Sequence, residues 1–340
     1  MIVARVRRTL RERGLLEAGG RVLCACSGGP DSAALLVALA QLQAELDFTL
    51  EAASVDHGLR ADAAIDVEIA REQARAVGVP FHALRVQVSH EGSLQAAARS
   101  ARYDALRGLA ARLGASRLAL GHTRDDQAET VLMRVLRGAG VFGLVGIDPA
   151  RSDGVIRPLI DCDRAMVAEF AARHCDRVAR DPSNGDTRFE RVRIRAELLP
   201  ALAREDPAIV EHLCDLAEDA HALRALLAPQ ARDALALCLQ EPAIIDVSRL
   251  NRNPTALRRL VLRAWLEPLV GGELGRAHIE QLERAALLGG EIWLPHGFRV
   301  HADGGGALTL VPPVRTSGKT GTDPGLVATA QATAPESGKP

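Results

Sequence analysis

The sequence predicts an α/β protein with a doubly wound parallel sheet, followed by a second, smaller and mainly helical α+β domain. Three observations carry this prediction. Short apolar segments alternate with amphipathic helical segments through the first half of the chain. The small-residue turn SGGPDS (27–32) follows the first apolar segment and opens a helix. After Pro207 the pattern changes to helices rich in alanine and leucine. Strands that alternate with helices are typical of a parallel sheet covered on both faces.

The elements of the first domain, which we place at residues 1–205, follow from the spacing of apolar residues. They are a strand at 22–27, a helix at 31–46, a strand at 48–57, a helix at 63–78, a strand at 80–88, a helix at 93–114, a strand at 116–122, a helix at 126–138, a weaker strand at 155–160 and a helix at 163–174. A basic helix then runs from about Arg188 to Leu199, and we expect Pro200 to end it.

The second domain is predicted at residues 206–311. Helical spacing covers about 208–239, 255–269 and 277–289, and short strands with turns follow over 290–311. From residue 312 the chain is rich in Pro, Gly, Thr, Ser and Ala, so we expect 312–340 to form a disordered tail.

Charge and composition exclude some functional classes. The 340 residues carry a formal net charge of −1, so any nucleic-acid surface must be a local patch. The only lysines are Lys319 and Lys339, which excludes a P-loop NTPase at SGGPDS because the Walker A motif needs a lysine after its glycines. The charged amino terminus lacks the apolar core of a signal peptide, and no apolar run approaches membrane-spanning length. We therefore expect a cytoplasmic protein with no membrane partner.

The turn SGGPDS has the features of a phosphate-binding loop. Gly28 and Gly29 let the backbone turn tightly and approach a ligand. The helix that follows presents free amide groups, which favour an anion. Ser27 and Ser32 can donate hydroxyl hydrogen bonds to phosphate oxygens. Asp31 would repel a phosphate unless a cation lies between them, so the loop implies Mg²⁺.

A second polar segment, GHTRDDQAET (121–130), follows the fourth predicted strand. If the first and fourth strands are neighbours, both polar segments border one crevice at the carboxyl edge of the sheet, where doubly wound proteins bind ligands. Asp126 and Glu129 are three residues apart and share a helix face. Two carboxylates near a phosphate site imply that they hold a cationic group or a metal, although helix capping by acids is the simpler alternative.

Three further groups are candidates for the same crevice. His57 ends the second predicted strand and could border the adenine or ribose of a nucleotide; a plain turn is the alternative. Arg102 lies within a turn of Arg99 and Tyr103, where an arginine near a phosphate would stabilise charge and a solvated helix face is the alternative. A basic segment has a density suited to RNA-backbone contacts or to a solvated surface: Arg188, Arg191, Arg193 and Arg195.

These residues carry a resemblance to a known family. SGGPDS resembles the PP-loop of the ATP pyrophosphatases, which cleave ATP between the α- and β-phosphates without a Walker A lysine. Within that superfamily, residues 20–200 resemble the tRNA(Ile)-lysidine synthetases. The matching stretches, in the family's order, are VDHGLR, ARYDAL, GHTRDDQAETVLMRVLRGAGVFGLVGI, RPLI, DPSN and RIRAELLP. Residues 208–311 resemble more weakly the small domain that follows in this family. Val192 stands where family members often have Asn.

The resemblance implies a reaction and its partners. ATP adenylates the C2 carbonyl oxygen of the wobble cytidine in isoleucine tRNA with a CAU anticodon, and pyrophosphate leaves. The ε-amine of free lysine then attacks C2 and displaces AMP, which leaves lysidine. ATP and Mg²⁺ are the implied cofactors, and the tRNA and free L-lysine are the implied partners.

The resemblance also assigns roles to individual residues. The residues expected to hold ATP and its metal are Ser27, Gly28, Gly29, Asp31 and Ser32, with Asp31 as metal ligand, and those lining the nucleotide are His57 and Gly121. The residues expected at the lysine ammonium are Asp126 and Glu129. The residues expected to take part in catalysis are Asp31, Arg102, Asp126 and Arg195. The residues expected to contact tRNA are Arg188, Arg191 and Arg193. Asp181 and Asn184 would shape the loop before the basic helix.

Three alternatives stay open on sequence alone. A tRNA thiolase of the same superfamily generally needs a reactive cysteine pair or a cysteine-ligated cluster, and no CxxC pair occurs among the six cysteines. A small-molecule amidating ligase would need neither the basic segment nor the second domain. A non-catalytic tRNA-binding protein would not need the SGGPDS loop. The sequence does not give the oligomeric state.

Overall fold

The computed structural model describes residues 1–56, 58, 63–87, 94–179, 187–272 and 274–313. These residues form two compact units, one of Met1–Thr130 with Ile147–Val210 and one of Val131–Gly146 with residues 211–313. The domain boundary at 205/206 stays a prediction; the change of unit in the structure falls after Val210. The structure does not describe three residues with predicted roles, which are His57, Asp181 and Asn184. Residues 314–340 of the predicted tail, 312–340, also lie outside the described residues.

The first part of the chain alternates strands and helices. Its elements in order are α1 (Ile2–Glu12), β1 (Gly20–Ala25), α2 (Pro30–Leu46), β2 (Phe48–Asp56), α3 (Ala63–Ala76), β3 (Phe81–Arg85), α4 (Leu94–Leu113), β4 (Arg117–Ala119), α5 (Arg124–Leu136), β5 (Val155–Ile156), α6 (Arg164–His174), α7 (Glu190–Arg193) and α8 (Leu199–Glu205).

The five strands form one parallel sheet in the order β3-β2-β1-β4-β5. Cys24 of β1 pairs with Ala52 of β2 on one side and with Ala119 of β4 on the other. The winding therefore reverses between β1 and β4, which confirms the predicted doubly wound sheet and the predicted adjacency of the first and fourth strands. The loops that follow β1 and β4 leave the same edge of the sheet.

Alternate residues of β1 pack on opposite faces of the sheet, as strand geometry requires. Val22 and Cys24 join an apolar core with α1, α2 and α6, whereas Leu23 packs with Tyr103 and Leu106 of α4 on the other face. Helix α2 is buried along most of its length. This burial fixes the position of its amino-terminal turn beside the loop that follows β1.

The basic segment departs from the predicted helix. After α7 the chain forms a π-helical turn, Ile194–Leu198, and then continues into α8. Pro200 lies in the first turn of α8, so the expectation that it ends the helix is wrong. Proline is tolerated in a first helical turn, because its missing N–H would have no partner there, and the wider π turn separates it from α7.

The second unit contains a separate, antiparallel sheet. Its elements, with the helix that leads into it, are α9 (Ile209–Cys238), β6 (Leu239–Glu241), β7 (Ile244–Asp246), α10 (Val247–Leu250), α11 (Thr255–Val270), α12 (Arg276–Leu288), β8 (Gly290–Trp293), β9 (Arg299–Ala302) and β10 (Ala307–Val311). The strand order is β6-β7-β10-β9-β8. The smaller α+β domain is thereby confirmed, although the three-residue strands β6 and β7 were not predicted.

Helix α9 is the longest of the described helices, at 30 residues, and it carries Pro229 in its interior. None of the helices in the described ranges combines the length and the apolar character needed to cross a bilayer. The cytoplasmic location stays a prediction.

Candidate active site

The loop Ser27–Gly29 joins β1 to α2 at the edge where β1 meets β4. Gly28 has φ +78°, a left-handed conformation that favours glycine, and Gly29 is extended just before Pro30. Because Pro30 has no N–H, the first free backbone amides of α2 are those of Asp31 and Ser32. The loop and these amides form a concave, amide-lined turn of the kind that binds phosphate.

The two serines of the loop are hydrogen-bonded to each other and to the backbone. The Ser32 hydroxyl accepts from the Ser27 amide (3.1 Å) and donates to the Gly29 carbonyl (3.0 Å), and the two hydroxyl oxygens are 3.2 Å apart. Ser32 is buried, whereas Ser27 is exposed. Ser32 therefore shapes the loop, and Ser27 is the serine that solvent and ligands can reach.

Helix α3 and the segment after α6 anchor the loop from behind. The Gly28 carbonyl accepts from the Ala179 amide (2.8 Å) and from the buried Gln73 side chain (3.0 Å), which also donates to the Arg177 carbonyl (2.9 Å). We did not predict Gln73. A glutamine on the apolar face of α3, next to Ile69 and Ala70 in the helical repeat, is the sequence signal that could have identified it.

The close fit around Gly28 leads to a stability prediction. A Cβ at Gly28 would lie 2.7 Å from the Asp66 carbonyl oxygen, whereas Gly78, with φ +67°, has nothing within 4 Å of that position. Gly78→Ala should therefore cost about 1 kcal/mol of unfolding free energy from its left-handed backbone alone. Gly28→Ala should cost at least about 2 kcal/mol more because backbone must move. Urea unfolding checks the difference, and equal losses would contradict it.

Asp31 lies in the first turn of α2 with one carboxylate oxygen, Oδ1, buried and without a hydrogen-bond partner among the described residues. Burial, followed by repulsion from Asp126, raises the pKa of Asp31 from 3.8 to about 6 despite Arg164 and Arg195. A half-buried carboxylate with one buried, unpartnered oxygen and a raised pKa fits a bound cation. The described residues contain no group of three or more His, Cys, Asp or Glu side chains arranged to hold a metal.

Gly121 allows the chain after β4 to approach the first turn of α2. A Cβ there would lie 3.1 Å from the Asp31 carbonyl carbon and oxygen and 3.2 Å from the Ser32 amide nitrogen. With a side chain at this position the two polar segments would have to move apart by a few tenths of an ångström, so glycine permits their close packing. Whether Gly121 also lines a bound nucleotide stays a prediction.

Asp126 and Glu129 lie on one face of α5, 7% and 0% exposed, and three arginines surround them. Asp126 Oδ2 accepts from the amide and hydroxyl of Thr123, and its Oδ1 accepts from all three arginines. Both Glu129 oxygens also accept from arginines. We call the set the arginine–acid cluster; its members are Asp126, Glu129, Arg164, Arg191 and Arg195.

The cluster keeps both acids ionised. Burial raises the pKa of Asp126, but Arg164, Arg191 and the Thr123 amide outweigh it and leave the pKa below its ordinary value. Burial also raises the pKa of Glu129, but a hydrogen bond from Arg195 and the contacts with Arg164 and Arg191 outweigh it. The pKa of Glu129 therefore lies below its ordinary value. Three guanidinium groups against two carboxylates leave the cluster one positive charge in excess, next to the loop that would bind phosphate.

The structure separates the four arginines of the basic segment into two pairs. Arg191 and Arg195 are one helical turn apart and reach Asp126 and Glu129. Arg188 and Arg193 are exposed, and Arg193 donates to the Thr187 and Arg188 carbonyls. The RNA contacts of Arg188, Arg191 and Arg193 stay predictions. Arg164, at the start of α6, was missed because nothing in its sequence neighbourhood distinguishes it from a surface arginine.

A second arginine that we did not predict orients His122. Arg157, buried after β5, donates from Nε to His122 Nδ1 (3.2 Å). Because Nδ1 accepts this bond, the neutral ring carries its hydrogen on Nε2. Burial, followed by the charge of Arg157, lowers the pKa of His122 to about 4, so the ring is neutral at physiological pH. Arg157 is the first residue of RPLI (157–160), one of the stretches that resemble the family, but that motif alone does not indicate the contact with His122.

Arg102, predicted to stabilise phosphate charge, is exposed on α4. No hydrogen bond or ion pair among the described residues joins it to Ser27–Ser32 or to the arginine–acid cluster. Its catalytic role stays a prediction.

Comparisons with known proteins identify the families that this chain matches. The family described as PP-loop domain matches residues 3–202, and the family described as TilS substrate binding domain matches residues 245–301. A tRNA(Ile)-lysidine synthase of Salinispora arenicola is 39% identical over 325 residues, which cover 92% of this chain and 97% of the relative. The enzyme of the same name from Symbiobacterium thermophilum is 37% identical and covers 88% of this chain and 67% of the relative.

A solved structure shares the fold at lower sequence identity. The U34-tRNA thiolase NcsA from Methanococcus maripaludis, solved with its [4Fe-4S] cluster, superposes with a TM-score of 0.55 at 18% identity, over 64% of this chain and 77% of that one. This likeness shows the fold alone. Because the PP-loop domain family matches more than half of the chain and a synthase relative is matched along almost its whole length, the chain belongs to the tRNA(Ile)-lysidine synthase family.

Proposed function

We propose that this chain converts the wobble cytidine of isoleucine tRNA with a CAU anticodon into lysidine. In the first step the C2 carbonyl oxygen attacks the α-phosphate of ATP, and the bond to the departing pyrophosphate breaks. In the second step the ε-amine of free lysine forms a bond to C2, the bond from C2 to the adenylate oxygen breaks, and AMP leaves with that oxygen. The lysine ammonium first loses one proton to solvent to give this amine, and the nitrogen releases a second proton as the bond to C2 forms.

One observation carries the proposal beyond the family relationship: the phosphate loop and the arginine–acid cluster act on each other at a single edge of the sheet. Strands β1 and β4 are paired, and Gly121 after β4 packs against the backbone of Asp31 and Ser32. The charges of Asp126, Arg164 and Arg195 also act on the pKa of Asp31, which supports one shared crevice. An enzyme that first releases pyrophosphate and then accepts an amine needs an anion site and an acid pair side by side. This crevice offers both.

The loop supports the first step. The amides of Asp31 and Ser32, with the Ser27 hydroxyl, would bind phosphate oxygens as pyrophosphate separates. Asp31 is the residue that would hold Mg²⁺, which, when bound, neutralises phosphate charge. The excess positive charge of the arginine–acid cluster would stabilise the α-phosphate side of the transition state, with Arg195 as the proposed contact.

The acid pair supports the second step through an exchange. Every oxygen of Asp126 and Glu129 already accepts a hydrogen bond from an arginine or Thr123. The ammonium of lysine therefore binds this pair only by replacing a guanidinium. Arg191 and Arg195, about a third exposed, can turn outward at lower cost than Arg164, which is 24% exposed. The released guanidinium would then be available to the adenylate.

The burial and the raised pKa values of the cysteine thiols argue against a tRNA thiolase. Of the described cysteines, Cys24, Cys26, Cys162 and Cys238 are buried and the other two are half-buried. Burial raises the pKa of Cys162 to about 12, and the Cys26 hydrogen bond together with burial raises the pKa of Cys24. Such thiols stay protonated and unreactive at neutral pH.

Replacement of all the cysteines by alanine or serine distinguishes lysidine formation from tRNA thiolation. The variant should still incorporate radiolabelled lysine into an unmodified CAU transcript with ATP, at a rate within a few-fold of wild type. Loss of incorporation with the fold intact by circular dichroism would favour thiol chemistry. A rate of tRNA modification that does not depend on the lysine concentration would contradict the proposal.

A further inference from the structure

The second unit contains a cavity of about 250 Å³ between a short 3₁₀ turn, Val141–Gly143, and helices α11 and α12. Its apolar wall includes Val141, Phe142, Ala256 and Ile279. Phe142 packs against the core of the second unit, and Arg134 donates to the Gly143 carbonyl (2.9 Å), so the turn is held in place. The cavity is far smaller than a helix or duplex, and its volume suits a single small group.

Three arginines line the cavity beside this apolar wall: Arg259, Arg263 and Arg276. Arg263 donates from Nη1 to Glu267 and to the Leu274 carbonyl, so that terminal nitrogen is already engaged. Arg259 uses Nε to pair with Glu283 (2.8 Å), and Arg276 uses Nε to pair with Glu280 (2.7 Å). Among the described residues, their hydrogen bonds involve Nε alone, so their terminal nitrogens are available to a ligand. A guanidinium already oriented by a carboxylate loses little conformational freedom when its other edge binds an anion.

We infer that this cavity binds one unpaired nucleotide of the tRNA. The base lies against Phe142 and Ile279, and its phosphate accepts hydrogen bonds from the terminal nitrogens of Arg259 and Arg276. Proteins recognise unpaired RNA by this combination of an apolar surface for the base and arginine for the backbone. The identity of the RNA rests on the proposed function; the cavity itself is independent of the crevice on the parallel sheet.

The phosphate contact is tested by charge removal. Arg276→Gln removes one proposed contact at an exposed surface pair, which should leave the fold intact. In filter binding of the unmodified CAU transcript across a salt series, the slope of log affinity against log salt should fall by about 0.7, the value of one single-strand phosphate contact. Arg284→Gln, which removes the same charge from an exposed position of α12 outside this cavity, should bind as wild type does.

The base contact is tested by filling the cavity. Ala256→Leu adds aliphatic bulk from an exposed helical position and should weaken transcript binding about tenfold with an unchanged salt slope. Ala277→Leu, exposed on α12 and outside this cavity, is the control and should have no effect. The inference is overturned if Arg276→Gln or Ala256→Leu behaves like its control while wild type binds the transcript. Failure of wild type to bind it would instead refute the proposed function.

Discussion

Asp31→Asn should abolish ATP-dependent pyrophosphate release and, at the same time, make the protein more stable at neutral pH. Activity should fall at least about 100-fold because asparagine cannot replace a carboxylate as a magnesium ligand. Stability should rise because the native structure resists ionisation of Asp31. The difference between an ordinary pKa of 3.8 and one of about 6 corresponds to about 3 kcal/mol at pH 7.

The raised pKa of Asp31 also predicts how stability depends on pH. Between about pH 4 and pH 6 native Asp31 binds a proton that the unfolded chain has released, so wild-type stability should fall as pH rises through this window. The asparagine variant should lack that fall. Urea unfolding in EDTA at pH 4 to 7 measures it. Asp104→Asn, at a position 69% exposed, is the control and should change neither activity nor the pH profile. A destabilised, fully active Asp31→Asn variant would contradict the metal assignment.

Glu129→Gln should separate the two chemical steps. Lysidine formation should fall about 100-fold, because an ammonium loses one of its two carboxylates. Pyrophosphate release should fall by less than about tenfold, since the arginines still face the phosphates. The amide leaves half-buried guanidinium groups underpaired, so the free energy of unfolding should fall by about 2 kcal/mol. This is less than the 3–5 kcal/mol of a fully buried pair, because the arginines are partly exposed.

The readout for Glu129→Gln is a dependence on lysine concentration. If Glu129 binds the ammonium, the KM for lysine should rise far more than the KM for ATP. Glu169→Gln breaks an exposed Arg173 pair, 64% and 68% exposed, and should leave every parameter within experimental scatter. Equal losses of both steps with an unchanged KM for lysine would show that Glu129 serves only to position the arginines.

The sheet and its phosphate loop could be predicted because each depends on local sequence. Alternation of strand and helix fixed the order of elements, and SGGPDS carries its own turn geometry through Gly28. The short strands β6 and β7 escaped prediction because three residues are too few to show a period of two. Pro200 was misread because its effect depends on the π turn before it, and that turn has no local signature.

The contacts that hold the site together were mostly beyond the reach of the sequence. Asp126 and Glu129 were identified as a paired site from their spacing on α5. Arg164 and Arg157 were not, because each reaches the crevice from a segment more than thirty residues away from its partner. Gln73 was predictable only in part. Its place on an apolar helix face is visible in the sequence, but its hydrogen bond to the Gly28 carbonyl is a long-range contact.

The central claim is that this chain joins free lysine to the wobble cytidine at the expense of ATP. The most direct measurement is mass analysis of the nucleosides from an unmodified isoleucine tRNA transcript after incubation with the protein, ATP, Mg²⁺ and lysine. The account predicts that the wobble cytidine gains the mass of lysine less one water, with one AMP released per modified tRNA, and that a transcript with uridine at the wobble position gains nothing. An unchanged cytidine, or a gain of sulfur in place of oxygen, would contradict it.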